Sequence, residues 1–562
     1  MDHHQAEDLG LPRPLISLLA DRGLFGRRAI ESFLQPKLAD LPSPFLMKDM
    51  DRATEIFLAS LRNNHPVVIY GDYDVDGTCS IALLVTFLRL LNMQASWYLP
   101  NRLTEGYGLH VEAIERLAAE INGPALLITV DCGITACQEI EVARSLGFET
   151  IVTDHHLPPD DLPPAGAILN PKQQDCGFPF DDLAGVGVAF FFLIALRSRL
   201  VENNYWSVKS APNLKGFLDL VALGTVADVM PLIHTNRILV RAGLEVLAGR
   251  SRPGLWALCE QAGINWGRVT TEDISYRLAP RINAAGRLGT PDLAVQLLVC
   301  KTATRAVELA AALEEANNQR KKIAAQALEK AISLGRKQVE DQVSALVLND
   351  SWHAGIVGIV AAQLVDLYRI PVIIFADDQS GAPDQLKGSG RSVPGIHLYE
   401  TLKECEEYIE QYGGHKMAAG LVIQRDNLEN FTHAFRKSVA RSMKTKANCH
   451  TEHLEVEADY RAENNDIFET DFLEQYLKLE PFGEANPEPI FRLDNPRLFN
   501  ISTIREHLRF MLAAGDKTLS GIGFGLGEHE EVAAHPATLY FKLKNITFRG
   551  VARWEIHMVS IS

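Results

Sequence analysis

The chain has 562 residues, enough for three or four domains of ordinary size. Hydrophobic residues make up 47% and charged residues 22%, a globular balance that excludes a largely disordered or fibrous chain. A formal net charge of −16 excludes a surface coated in basic residues but leaves room for a local anion-binding groove inside an acidic shell.

Residues 1–45 are rich in Pro and Leu with short helical patterns, and are expected to form a helical arm leading into the first compact domain. From residue 66 apolar runs alternate with amphipathic stretches. The runs 66–70, 96–99, 125–130, 149–152 and 167–169 read as strands, with helices near 78–92, 110–120 and 135–146 between them. That rhythm predicts a parallel sheet covered by helices, over an α/β domain spanning 46–302. Residues 213–260 read as helical, and 270–300 as a loop rich in Arg, Asn and Gly. The stretch 303–335 has no Pro and no interior Gly, and predicts a long connecting helix. A second α/β domain is expected over 336–440, and the polar residues 436–455 read as a linker. Five short β patterns in 496–562 predict an OB-like β-barrel, with the whole domain placed at 450–562.

Eight cysteines without a CxxC pair exclude a disulfide framework and a Cys-rich zinc site, and suit a reducing compartment. The first ten residues carry no basic or apolar leader pattern, and the most apolar run, 184–196, is short of the ~20 residues a membrane span needs. A cytoplasmic protein is expected.

Chemistry concentrates where the strands end. After the first strand comes Gly71-Asp72-Tyr73-Asp74-Val75-Asp76-Gly77, three carboxylates at period two. Carboxylates held this close share a cation or keep a proton. An EF-hand is excluded, because the twelfth position is Leu83 where a bidentate Glu is required and because a strand precedes the loop. Asp131-Cys132-Gly133 follows the third strand and Asp154-His155-His156 the fourth. Singly, Asp131 could cap a helix and the histidines could be surface residues. Together they form a convergent set of oxygen and nitrogen donors at the carboxyl edge of one sheet, where such sheets carry their chemistry. Asp228, after an apolar helix, could complete the set. Carboxylates with one or two imidazoles suit two Mn²⁺ or Mg²⁺ ions, which activate water and clamp a phosphoryl group.

As an ordered set these motifs, with Ala227-Asp228-Val229-Met230-Pro231-Leu232, resemble the DHH phosphoesterases. Asn283-Ala-Ala-Gly-Arg287, Gly388-Ser-Gly-Arg391 and Gly413-Gly-His-Lys-Met-Ala-Ala-Gly420 are similar to the RecJ exonuclease branch, with its DHHA1 domain. The resemblance covers about residues 45–435 by motif. It implies 5′→3′ hydrolysis of single-stranded DNA to mononucleotides in recombination and repair, with a single-strand-binding protein and a helicase as partners. It implies metal ligation by Asp72, Asp74, Asp131, His155 and Asp228, with Asp131 bridging and Asp76 orienting the loop. His156 is either a ligand or a contact to the scissile phosphate. Some members have His two residues before the first Asp. Here it is Tyr70, so the nearer ion is expected to bind more weakly, or only once substrate arrives.

For the substrate, Gly414 and His415 belong to a glycine-rich stretch suited to close backbone approach to a phosphate, or to a turn opening a packed helix. Arg281, Asn283 and Arg287 are expected in a loop facing the cleft. Ser389, Arg391 and Arg102 have the chemistry of a 5′-phosphate pocket, unless Arg391 merely pairs with an acid such as Asp384. The alternatives are a phosphodiesterase for short oligonucleotides or cyclic dinucleotides, against which length and the extra barrel speak, and a replication scaffold without catalysis, against which the intact acid and histidine set speaks.

Overall fold

A computed structural model describes residues 10–265, 267–377, 384–446, 458–463, 465–548 and 551–562. The arm forms helices α1 (Arg13–Asp21) and α2 (Arg27–Leu34). Their apolar faces (Leu15, Leu18, Leu19, Ile30 and Leu34) are buried with Phe472, Tyr476 and Phe491 of the C-terminal domain. The arm is therefore part of that domain's core as well as a lead into the first domain.

The first sheet contains β1 (Val67–Gly71), β2 (Ala95–Tyr98), β3 (Ala125–Val130), β4 (Phe148–Thr153) and β5 (Ala167–Leu169), ordered β2-β1-β3-β4-β5 with every pair parallel. β1 and β3 are buried throughout, as strands covered on both faces by helices must be. The chain leaves β1 to one side and returns as β3 on the other. The switch in strand order therefore falls between the ends that carry Asp72 and Asp131. Helices α3 (Val75–Leu90), α4 (Gly185–Glu202) and α5 (Leu218–Ala227) are apolar on nearly all sides and pack on one another beneath this edge. Helix α6 (His234–Ala248) follows.

Residues 270–300 are helical, contrary to the loop expected from their Arg, Asn and Gly content. Thr270 caps the segment in a reciprocal capping box with Asp273, and a π-turn at Ile274–Leu278 runs into α7 (Ala279–Arg287), with Pro280 in its first turn. Ile274, Leu278, Ile282 and Ala285 recur at helical spacing and are buried in the core, which outweighs the composition. The long helix α8 runs from Ala303 to Glu340, five residues past Gly335.

The second sheet contains β6 (Leu346–Asn349), β7 (Val372–Asp377), β8 (Gln385–Arg391), β9 (Gln411–Gly414) and β10 (Ala418–Gln424), ordered β6-β7-β8-β10-β9. Its parallel pair β6/β7 is joined by α9 (Val357–Tyr368), and the other pairs are antiparallel. The expected linker begins inside a helix, Leu428–Lys446, and its remainder, 447–455, lies outside the described residues.

The C-terminal sheet has seven strands: the five expected, β13 (Arg497–Ile504), β14 (His507–Ala514), β15 (Lys517–Gly523), β16 (Thr538–Phe548) and β17 (Val551–Ile561), with the short β11 (Tyr460–Arg461) and β12 (Phe491–Asp494) added. The order is β11-β12-β16-β17-β15-β14-β13, with β15 and β17 parallel. The chain is thus two α/β bodies, a long helix between them and an OB-type β domain.

Candidate metal centre and anion pocket

The centre forms at the carboxyl ends of β1, β3 and β4. Asp72 opens the loop after β1, and Asp74 caps α3 by accepting the Gly77 N–H at 3.0 Å. Gly77 is required there, because a Cβ would lie 2.3 Å from the Asp72 carbonyl oxygen. Asp131 adopts φ +58 just past β3, which turns its carboxylate out of the strand direction. His155 Nε2 lies 3.1 Å from Asp131 Oδ1, 3.5 Å from Asp228 Oδ2 and 4.0 Å from Asp76 Oδ2. Three donor groups each have ligand atoms within 4.8 Å of one another: Asp72/Asp74/Asp131, Asp131/His155/His156 and Asp76/His155/Asp228. Asp131 and His155 each belong to two of them.

Asp76 is fully buried, with one oxygen accepting the Gly185 N–H at 2.6 Å and the other the Val186 N–H at 2.9 Å, at the start of α4. It ties α3 to the start of α4. Gly185 cannot carry a side chain, since a Cβ would lie 2.8 Å from Asp131 Cβ.

Electrostatics point to cations. Burial, followed by the neighbouring acids, pushes Asp72, Asp76 and Asp131 well above the ordinary carboxylate range and Asp228 up to about 7. Asp72 Oδ1, Asp131 Oδ1 and His155 Nδ1 are buried without a hydrogen-bond partner among the described residues. Such atoms are costly unless something binds them. Hard oxygen donors with one or two imidazoles fit Mn²⁺ or Mg²⁺.

Asp154 is the residue sequence reasoning passed over. It accepts the backbone N–H groups of Ile134 and His155 and, at 2.7 Å, the Nδ1 of His156. Burial opposes the charge of His156, but the Asp154 hydrogen bond and charge prevail and raise it to about 9. Burial and the charge of His156 push His155 down to about 3. The two adjacent histidines thus differ in charge, and His156 offers a ring nitrogen within 4.8 Å of the Asp131 and His155 ligand atoms. An acid directly before two histidines was the available signal. Tyr70 is fully buried, and its hydroxyl donates to Gly108 O at 3.1 Å, so it supports the loop that carries Tyr107. Tyr107 is half exposed. Its hydroxyl donates to Asp131 O at 3.2 Å, and its ring centre lies 6.1 Å from that of His156.

A second cluster joins the two α/β bodies. Arg391 Nη1 reaches Ser389 Oγ at 3.3 Å, and a Cβ on Gly358, in the first turn of α9, would lie 2.8 Å from that oxygen and 3.1 Å from Arg391 Nη2. Arg102 stands over the Tyr73 ring at 5.3 Å. Burial, followed by the charges of Arg102, Arg320 and Arg391, lowers Arg287 to about 9. None of these four arginines has a carboxylate at ion-pair distance among the described residues, so the expected alternative of an Arg391–Asp384 pair does not form. Crowded, half-buried guanidinium groups without counter-charge make an anion site. Arg320, on α8, was not singled out beforehand; it is held by Asn317 Oδ1 at 2.9 Å.

Two expectations are corrected. Arg281 is not free to face the cleft: it pairs with Glu314 of α8 and donates to Arg277 O, fastening α7 to the long helix. Asn283 lies on α7, half-buried, between it and Arg287. The Gly414–His415 stretch opens no helix but forms the exposed turn of the β9–β10 hairpin, where His415 N–H donates to Ala418 O at 2.8 Å. Among the described residues no hydrogen bond or ion pair joins the His415 side chain to either cluster.

The sequence matches the DHH family, N-terminal domain over residues 66–225, the DHHA1 domain over 340–441 and the RecJ OB domain over 458–560. It is 36% identical over 552 residues to the single-stranded-DNA-specific exonuclease RecJ of Haemophilus influenzae, covering 95% of this chain and 94% of that protein. Identity to RecJ of Escherichia coli is 36% over 562 residues, covering 96% and 94%. Identity to RecJ of Bacillus subtilis is 35% over 530 residues, and the match spans 93% of this chain but 64% of that longer relative. The fold superposes on the crystal structure of Thermus thermophilus RecJ in complex with Mn²⁺ with a TM-score of 0.80 at 29% identity, covering 99% of this chain and 76% of that one. No helix among the described residues is long and apolar enough to cross a membrane. The chain belongs to the RecJ family of single-stranded-DNA-specific exonucleases.

Proposed function

We propose that the protein is a cytoplasmic, two-metal exonuclease that degrades single-stranded DNA from its 5′ end to mononucleotides in recombination and repair. The observation that carries this reading is the pairing of a buried donor set, with orphaned oxygens and nitrogen, and an uncompensated arginine pocket between the two α/β bodies.

Asp72, Asp74, Asp131, His155 and Asp228 hold the ions, with Asp131 shared. When bound, two such ions supply an activated water and neutralise charge developing on the phosphoryl group. Asp76 fixes the loop through the α4 amides. His156, kept charged by Asp154, donates from Nε2 to a non-bridging oxygen of the scissile phosphate, in preference to serving as a ligand. Arg102, Arg287, Arg320, Ser389 and Arg391 bind the terminal phosphate and set polarity. Tyr107 stacks beside the terminal nucleotide.

A single-strand-binding protein and a helicase are the partners this reading carries from the family; co-purification with each tests that. For the activity itself, single strands and matched blunt duplex are incubated with Mn²⁺, with and without chelator. The reading requires mononucleotides from the single strand alone, and only without chelator. Equal degradation of duplex, or no mononucleotide from either, contradicts it.

A further inference from the structure

Asp228 ends α5 in a Schellman arrangement: Met230 N–H donates to Thr225 O and Val229 N–H to Val226 O, both at 3.2 Å. This places Val229 at φ +56. Glycine is ordinary at that position, and a β-branched residue there is an outlier. The backbone just beyond the Asp228 carboxylate is thus held in a conformation its own residue disfavours. Its restraint must come from outside the turn.

One restraint is internal to the domain: Asn236 Nδ2 donates to Pro231 O at 3.0 Å. The other comes from the C-terminal domain. Leu232 N–H donates to Glu484 O at 2.8 Å, and Gly483 lies so close above Leu232 that a Cβ would sit 2.6 Å from Leu232 Cδ1. Gly483 and Asn486 close a tight turn by exchanging backbone hydrogen bonds at 3.0 and 3.1 Å, and Asn486 Nδ2 donates back to Leu479 O and Pro481 O.

That strap, 478–486, is gripped by Arg237 of α6. Its guanidinium donates to Lys478 O at 2.8 Å, Glu480 O at 2.9 Å, Leu479 O at 3.0 Å and, from the arm, Phe33 O at 2.9 Å, while lying 3.7 Å over the Phe33 ring. Arg237 is almost wholly buried, and its partners are backbone carbonyls. A guanidinium used in this way fixes a backbone path and neutralises no charge.

We infer that the strap, pinned by Arg237, holds the Asp228 turn in place and thereby sets the metal affinity of the centre, which makes Arg237 a positioning residue for the reaction. The inference rests on Asp228 being a metal ligand. It also gives the C-terminal domain a part in shaping the metal centre.

The test is calorimetric Mn²⁺ binding to the full chain without DNA, on Arg237→Lys, Val229→Gly and the double variant. Arg237→Lys should weaken Mn²⁺ binding by ~10- to 100-fold, the range for residues that orient a ligand. Val229→Gly in that background should restore most of the affinity, since glycine adopts φ +56 unaided. A residue important only for packing would lower the melting temperature without this rescue. Should Arg237→Lys fail to fold, Asn486→Ala takes its place in the same cycle. Parental Mn²⁺ affinity in the strap variant, or no rescue by glycine, overturns the inference. If Asp228→Asn alone binds Mn²⁺ like the parent, the ligand assignment falls first and takes the inference with it.

Discussion

Arg287 and Gly355 lock the two α/β bodies together. Arg287 Nη1 donates to Gly355 O at 3.0 Å, and a Cβ on Gly355 would lie 2.1 Å from Arg287 O. The contact places α7, with the arginine proposed for the phosphate pocket, against the loop leading into α9. A methyl group there must push the bodies apart. Gly355→Ala should cost on the order of 10²-fold in kcat/KM on a 5′-phosphorylated single strand, the scale of a misplacement near 1 Å. Mn²⁺ affinity should stay parental, because the metal centre lies within the first body. Steady-state kinetics and calorimetry on one preparation check both parts.

Asp131 and His155 are each shared between two of the three donor groups, and Asp131 is the carboxylate of the two. Asp131→Ala should reduce cleavage at saturating Mn²⁺ to background and cut the number of tightly bound ions, while circular dichroism stays parental because the residue lies beyond the strand end. Near-normal activity at high Mn²⁺ would show that the ions are not bridged there.

The fold was legible where apolar periodicity was strong. β1, β3 and β4, the long helix and the five C-terminal strands stand where their patterns place them. Residues 270–300 were misread because Arg, Asn and Gly were weighed above the buried spacing of Ile274, Leu278, Ile282 and Ala285. The candidate donors Asp72, Asp74, Asp131 and His155 were legible because they follow strands whose ends converge at a switch point, whereas Asp228 follows an apolar helix. Contacts made over long sequence separations could not be found. The pairing of Arg281 with Glu314, 33 residues away, has no local signature. Nor did sequence show that the arm and the strap share the C-terminal core.

Acidity gives a prediction with a definite sign. Burial raises Asp228 to about 7, and Asp72, Asp76 and Asp131 are raised as well. The metal-free folded protein therefore holds protons that the unfolded chain has released. Its stability should fall as pH rises from the ordinary aspartate value toward about 7. Mn²⁺ must displace those protons, so the apparent dissociation constant should increase as pH drops through that range, with proton release on binding. Calorimetry in buffers of different ionisation enthalpy measures the release, and thermal melts of the chelated protein measure the stability trend.

Arg391 and Ser389 lie against the first turn of α9, and burial, followed by the charge of Arg102, lowers both Arg391 and Arg287. Arg391→Ala should lower kcat/KM for a 5′-phosphorylated strand by ~10- to 100-fold, the loss of a charge-assisted contact worth about 1.5–3 kcal/mol. A 5′-hydroxyl strand should be affected much less. Equal losses on the two would remove the terminal-phosphate pocket and leave polarity to the groove alone.

The most direct measurement follows two single strands of one sequence, one labelled at the 5′ end and one at the 3′ end, in a single-turnover time course with Mn²⁺. Labelled mononucleotide should appear at the earliest times from the 5′-labelled strand. The 3′-labelled strand should shorten progressively and release its label last. Early release from the 3′ end, or internal fragments from both, would contradict a 5′→3′ exonuclease built on this metal centre and arginine pocket.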